Sequence, residues 1–127
     1  KMKGLPANIS ISYKGDVQPH LVQYTIGQYH ALALLTHGEN FGHALYESLS
    51  AGRPVLTSHF TPWNNLEAKE AGWNCPLEDD GRIGLLLQQI AGLDQASFER
   101  FCNGAWQQAN EYYSSSDFIH HYSKLFA

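Results

Sequence analysis

Polar and apolar residues alternate along Asn8-Ile9-Ser10-Ile11-Ser12-Tyr13, the two-residue period of a half-buried strand. Lys14-Gly15-Asp16 then predicts a turn, with Asp16 placed to cap a helix. Val17, Leu21, Tyr24 and Ile26 recur at roughly helical spacing from Val17 to Tyr29, and Pro19 suits only the first turn of such a helix. Ala31-Leu32-Ala33-Leu34-Leu35-Thr36 is a continuous apolar run, the pattern of a strand covered on both faces. The polar loop His37-Gly38-Glu39-Asn40-Phe41-Gly42 leads into a helix from His43 to Ala51, with Gly52 as its stop. Pro54 to Ser58 and Trp73 to Leu77 read as further strands, with a short helix from Trp63 to Ala71, capped by Thr61 and closed by Gly72, between them. Helices over 80–92, 96–113 and 117–126 complete the chain.

Strands alternating with helices predict an α/β fold: one domain over residues 1–127, with a mostly parallel sheet of about four strands flanked by helices. In such sheets ligands bind beyond the carboxyl ends of the strands. The loop from Thr36 to Gly42, joining a buried strand to a helix and carrying an acid unsuited to a core, is the candidate by that rule.

Composition narrows the function classes. The 127 residues are 43% hydrophobic and 16% charged, ordinary for a globular domain. A net charge of −4, with no run of Lys and Arg, argues against nucleic acid as a partner. The longest apolar stretch is too short to span a bilayer, and Met2-Lys3-Gly4-Leu5-Pro6 lacks the apolar region of a signal peptide. Cys75 and Cys102 are too few for a disulfide scaffold and are expected as reduced core residues, in keeping with a cytoplasmic location.

The chemistry concentrates in Glu39-Asn40-Phe41-Gly42-His43-Ala44-Leu45-Tyr46-Glu47, followed by Ala51-Gly52-Arg53-Pro54-Val55. With Thr36 before it, this segment strongly resembles the E-x7-E signature of the family 4 retaining glycosyltransferases. The family form is a small hydroxyl residue, E-G-F-G, and a helix ending before G-x-P-V. Asn40 stands where that pattern has its first glycine, and Thr61-Pro62-Trp63-Asn64-Asn65-Leu66-Glu67 replaces a Gly-rich turn. The resemblance runs from about Leu5 to about Leu77 and implies a Rossmann-like, donor-binding domain. It implies that Glu39 is the catalytic-site carboxylate holding the donor sugar, and that Glu47 binds the ribose hydroxyls. Thr36, Phe41, Gly42, His43 and Leu45 complete the implied donor contacts. Physics supports the assignment: a helix start offers unpaired N–H groups to a diphosphate, and a carboxylate accepts two hydrogen bonds from a diol.

Other readings of these residues are weaker. Two glutamates eight apart mean nothing alone; the loop, the preceding strand and the G-x-P-V together give them weight. His37, Glu39 and His43 lack the paired spacing of a metal site, so no metal and no cofactor are expected. Trp63, Trp73, Trp106, Tyr112 and Tyr113 read as packing residues, and His120-His121 as a surface pair.

The implied parent enzyme moves a sugar from a UDP-, GDP- or ADP-sugar to a glycan or other acceptor, with retention of configuration, in the cytoplasm or at the inner membrane surface. The family's acceptor-holding N-terminal domain, and the two strands whose Arg and Lys neutralise the diphosphate, have no counterpart in these residues. The expectation is therefore a fragment inactive by itself, able to self-associate through exposed sheet edges. Its alternative is a non-catalytic nucleotide-sugar-binding or interaction module.

Overall fold

A computed structural model describes residues 12–13, 15, 17–35 and 43–114. A 3-10 turn over Pro19–Leu21 leads into α1 (Val22–Gly27). There follow β1 (Leu32–Leu34), α2 (His43–Ser50), β2 (Val55–Thr57), β3 (Gly72–Asn74), α3 (Asp80–Ala91) and α4 (Gln95–Tyr113). The strands form a parallel sheet in the order β1-β2-β3, with Leu32, Ala33 and Leu34 opposite Val55, Leu56 and Thr57. Val55, Leu56 and Thr57 in turn face Gly72, Trp73 and Asn74. The fold is α/β, as the alternating pattern predicts, with three strands rather than about four among the described residues. Residues 8–11 of the first expected strand lie outside them; Ser12 and Tyr13 are exposed and unpaired in the sheet.

Successive residues of β2 point to opposite faces and so enter two cores. Val55 joins Leu45, Tyr46 and Leu49 of α2, Trp63, Leu66, Ala71, and Ala105 and Ala109 of α4. Leu56 joins Trp73, Cys75 and Leu86 of α3, backed by Phe101. β2 is buried along its whole length, and β3 is buried at Gly72 and Trp73. On β1, Ala33 is exposed, which corrects the expectation of a strand covered on both sides. An open apolar groove of about 520 Å³ runs beside it, lined by Leu32, Leu56, Ile90, Leu93 and Phe98.

α4 closes the amino-terminal edge of the sheet before rising along the α2 face. Phe98 packs on His30, just ahead of β1, with ring centroids 4.9 Å apart. Arg100 pairs with Glu70 at 3.1 Å, and Gly104 lies against the backbone of Lys69 and Glu70, just ahead of β3. Tyr112, further along, meets Trp63 at 4.6 Å. Asp94 starts the helix: its carboxylate accepts from the Ser97 N–H at 2.7 Å, which holds that carboxyl below its ordinary range. Trp106 and Tyr113, expected as packing residues, are 54% and 60% exposed, so neither lies in the core. Cys75 is buried and Cys102 half-buried; both are free thiols, and burial pushes both up.

Two helix ends show how local chemistry sets the turns. Gly52, at φ 73°, follows α2 in the left-handed conformation, with Gly52 N–H bonded to Leu49 O and Arg53 N–H to Ser48 O. The expected helix from Trp63 to Ala71 is instead a set of turns, and its last turn ends two residues early. Glu70, at φ 52°, takes the left-handed position; Glu70 N–H bonds Glu67 O, and Ala71 N–H bonds Leu66 O. Gly72, expected as that helix stop, opens β3 because a Cβ there would run into the backbone of Val55. Thr61 still caps, but it caps a turn: its hydroxyl accepts from Trp63 N–H at 3.2 Å.

Arg53 is the main fastener between α1 and the sheet. Its guanidinium donates to Gly27 O and Tyr29 O, both at 2.7 Å, and lies over the Phe98 ring at 5.6 Å. These bonds satisfy carbonyls that the end of α1 leaves open. Arg53→Met is expected to cost about 1–2 kcal/mol, because charge-assisted bonds to carbonyls are lost at a partly exposed site. Arg53→Lys should recover little, since one ammonium cannot reproduce the fork geometry. Urea unfolding of the two variants checks this; a lysine variant as stable as the parent would refute it.

Candidate functional site at the carboxyl edge of the sheet

The carboxyl ends of the strands lead into three segments: the one after Leu35, the loop after Thr57, and the turn after Asn74. Thr36, Glu39, Phe41 and Gly42, four of the residues singled out in the sequence, lie outside the described residues. His43 is the first residue of α2, at the end of that segment. Leu45 is fully buried in the core under α2, so its side chain packs. Glu47 stands half-buried one turn further, about 6 Å along the axis from His43. Its carbonyl accepts from the Ser50 hydroxyl at 3.1 Å. Thr57 ties the end of β2 to β1 by donating its hydroxyl to Leu34 O at 2.8 Å.

The loop after β2 is held by Asn74, at the end of β3. Its amide oxygen accepts from Leu66 N–H at 3.1 Å, and its nitrogen donates to Ser58 O at 3.1 Å and Trp63 O at 2.9 Å. One side chain thus ties together Ser58, Trp63 and Leu66 of this loop. Trp63, expected as a packing anchor, is one: it is buried between Tyr46 and Tyr112.

Between this loop and the start of α3 lies a cleft of about 560 Å³ that the sequence did not single out. His59, Asn64, Asn65 and Glu67 line one side, Asp79 and Arg82 the other. Asp79 is occupied as the α3 cap, accepting from Arg82 N–H at 2.9 Å. The Arg82 guanidinium lies 3.9 Å from Glu67, a loose pair with both side chains about half exposed. These groups are 23 residues apart at the extremes and share no motif, so no spacing rule could have grouped them.

The structure engages Arg53 with the carbonyls of Gly27 and Tyr29, and sets Lys69 in a separate cleft with Trp63, Gln108 and Tyr112. Among the described residues, no helix is long and apolar enough to cross a membrane. No family model, curated protein or solved structure matches this chain.

Proposed function

We propose that the chain is the donor-binding part of a retaining glycosyltransferase with a Rossmann-like domain, holding a nucleotide sugar at the start of α2. The observation that carries this reading is the β1–α2–β2 unit. A motif of this kind needs a parallel strand, a helix starting at the carboxyl edge, and a left-handed glycine returning the chain to the next strand. Leu32–Leu34, His43–Ser50, Gly52 at φ 73° and Val55–Thr57 supply that context. In this reading Glu39 positions the donor sugar and Glu47 binds the ribose diol. The N–H groups of Phe41, Gly42, His43 and Leu45, with the Thr36 hydroxyl, receive the sugar and diphosphate. Catalysis would come from placement and from stabilising the leaving diphosphate, with the acceptor held beside the donor.

The test is titration with UDP-, GDP- and ADP-sugars, followed by amide NMR, on the parent chain and on Glu47→Ala. One nucleotide is expected to shift the amides from His43 to Glu47, and the variant to lose at least 10-fold in affinity, about 1.4 kcal/mol. A parent chain whose α2 amides do not move at millimolar nucleotide sugar, both alone and extended upstream, would rule the reading out.

A further inference from the structure

We propose that the cleft between the loop after β2 and the start of α3 binds the ring of a neutral saccharide. This site is distinct from α2 and does not depend on the donor reading. The cleft lies beyond the carboxyl ends of β2 and β3, the edge where parallel sheets bind ligands. Its volume of about 560 Å³ falls within the usual range of small-molecule sites, about 300–1,000 Å³.

The lining chemistry selects the ligand class. Glu67 offers a carboxylate that accepts from two hydroxyls, and Arg82 opposite it offers donors to hydroxyl oxygens. Their mutual contact of 3.9 Å is too long for a good hydrogen bond, so both retain capacity for a third group. Asn64, Asn65 and His59 add donors and acceptors on the loop side, while Ala68 and Pro76 give exposed apolar surface for the C–H face of a ring. A phosphate would meet Glu67 and Asp79 as well as Arg82, two negative charges against one fixed positive charge. A neutral polyol meets no such penalty.

The loop side is also pre-shaped. Asn74 holds the Leu66 N–H and the Ser58 and Trp63 carbonyls, and Asn64 donates to Thr61 O at 2.8 Å. Asn65 sits at φ 57°, presented at the turn by that framework. Holding the loop in place before binding lowers the ordering cost that otherwise consumes the affinity of a small ligand.

The experiment is NMR titration of the intact chain with methyl glucoside, methyl mannoside and maltotriose, with inorganic phosphate as the contrasting probe. At least one saccharide is expected to shift the Asn64 and Asn65 side-chain amides, the Arg82 Nε–H and the His59 ring, with Kd on the order of 1 mM. Glu67→Gln and Arg82→Gln change exposed side chains and should each weaken binding at least 5-fold while leaving the α2 amides unmoved. Saccharides that fail to shift these signals at about 100-fold that concentration would overturn the proposal. So would shifts that persist in the double variant, or phosphate moving these signals where saccharides do not.

Discussion

Gly104→Ala is expected to destabilise the protein by about 3 kcal/mol, at the top of the usual range for overpacking, and to lower Tm by on the order of 10 °C. Helix propensity alone gives the opposite sign, since alanine is favoured over glycine inside a helix by about 1 kcal/mol. What decides the outcome is the turn that α4 crosses. A Cβ on Gly104 would run into the carbonyl of Glu70 and come within 2.6 Å of Lys69 O. Both are backbone atoms, and Glu70 is held in the left-handed conformation that ends its turn. Relief therefore requires α4 to retreat from the sheet, opening the contacts of Ala105 and Ala109 with the core under α2. Gly84 in α3 is the control: it is exposed, and a Cβ there would meet nothing within 4 Å. Gly84→Ala should stabilise by about 0.5–1 kcal/mol. Thermal unfolding of both variants checks the contrast; Gly104→Ala unfolding at or above the parent Tm would refute the close approach.

Asn74→Ala is expected to cost about 2–4 kcal/mol, since it removes three hydrogen bonds at once, the one from Leu66 N–H and those to the Ser58 and Trp63 carbonyls. Leu66 is buried beside Trp63, so water cannot replace the lost bond at its N–H without disturbing the core. Asn74→Asp separates the acceptor from the donors. It retains an oxygen for Leu66 N–H but sets a carboxylate against the carbonyls of Ser58 and Trp63, so it should rescue little. Denaturant unfolding measures the cost, and amide exchange at Leu66 locates it. A variant within about 0.5 kcal/mol of the parent would show that the loop is held by packing alone. Because this loop forms one wall of the saccharide cleft, partial survivors should also lose ligand shifts there.

The elements with strong periodicity or strong punctuation were legible in the chain. α2, α3 and α4 begin and end within about two residues of their expected bounds. Gly52 stops α2 in the left-handed conformation that such a stop requires. The helix expected from Trp63 to Ala71 was not so legible, because its fate depends on Asn74, a residue three positions beyond its end. The side chain of Asn74 takes the Leu66 N–H, and Asn65 and Glu70 adopt left-handed conformations that no propensity would assign them. The burial of β1 was misread for a related reason. An apolar run states that a strand can be covered, while Ala33 shows that coverage depends on what packs there.

The candidate site divides the same way. Glu47 stands one turn into α2, where the helix start expected at His43 puts it, so its place could be read directly. The cleft of His59, Asn65, Glu67 and Arg82 joins a loop to a helix across β3, and only the packed sheet brings them together. Arg53 is similar: within the motif it is the variable residue of G-x-P-V, yet in the fold it fastens α1 through Gly27 O and Tyr29 O.

By itself, then, the sequence determined the α/β alternation, the bounds of α2, α3 and α4 and the Gly52 stop, because these follow from periodicity and from backbone preferences of single residues. The tertiary structure decided how far each strand is buried, which glycines must remain bare, and which polar side chains meet. Those outcomes depend on contacts between residues far apart in the chain, where close packing and hydrogen-bond satisfaction outweigh local preference.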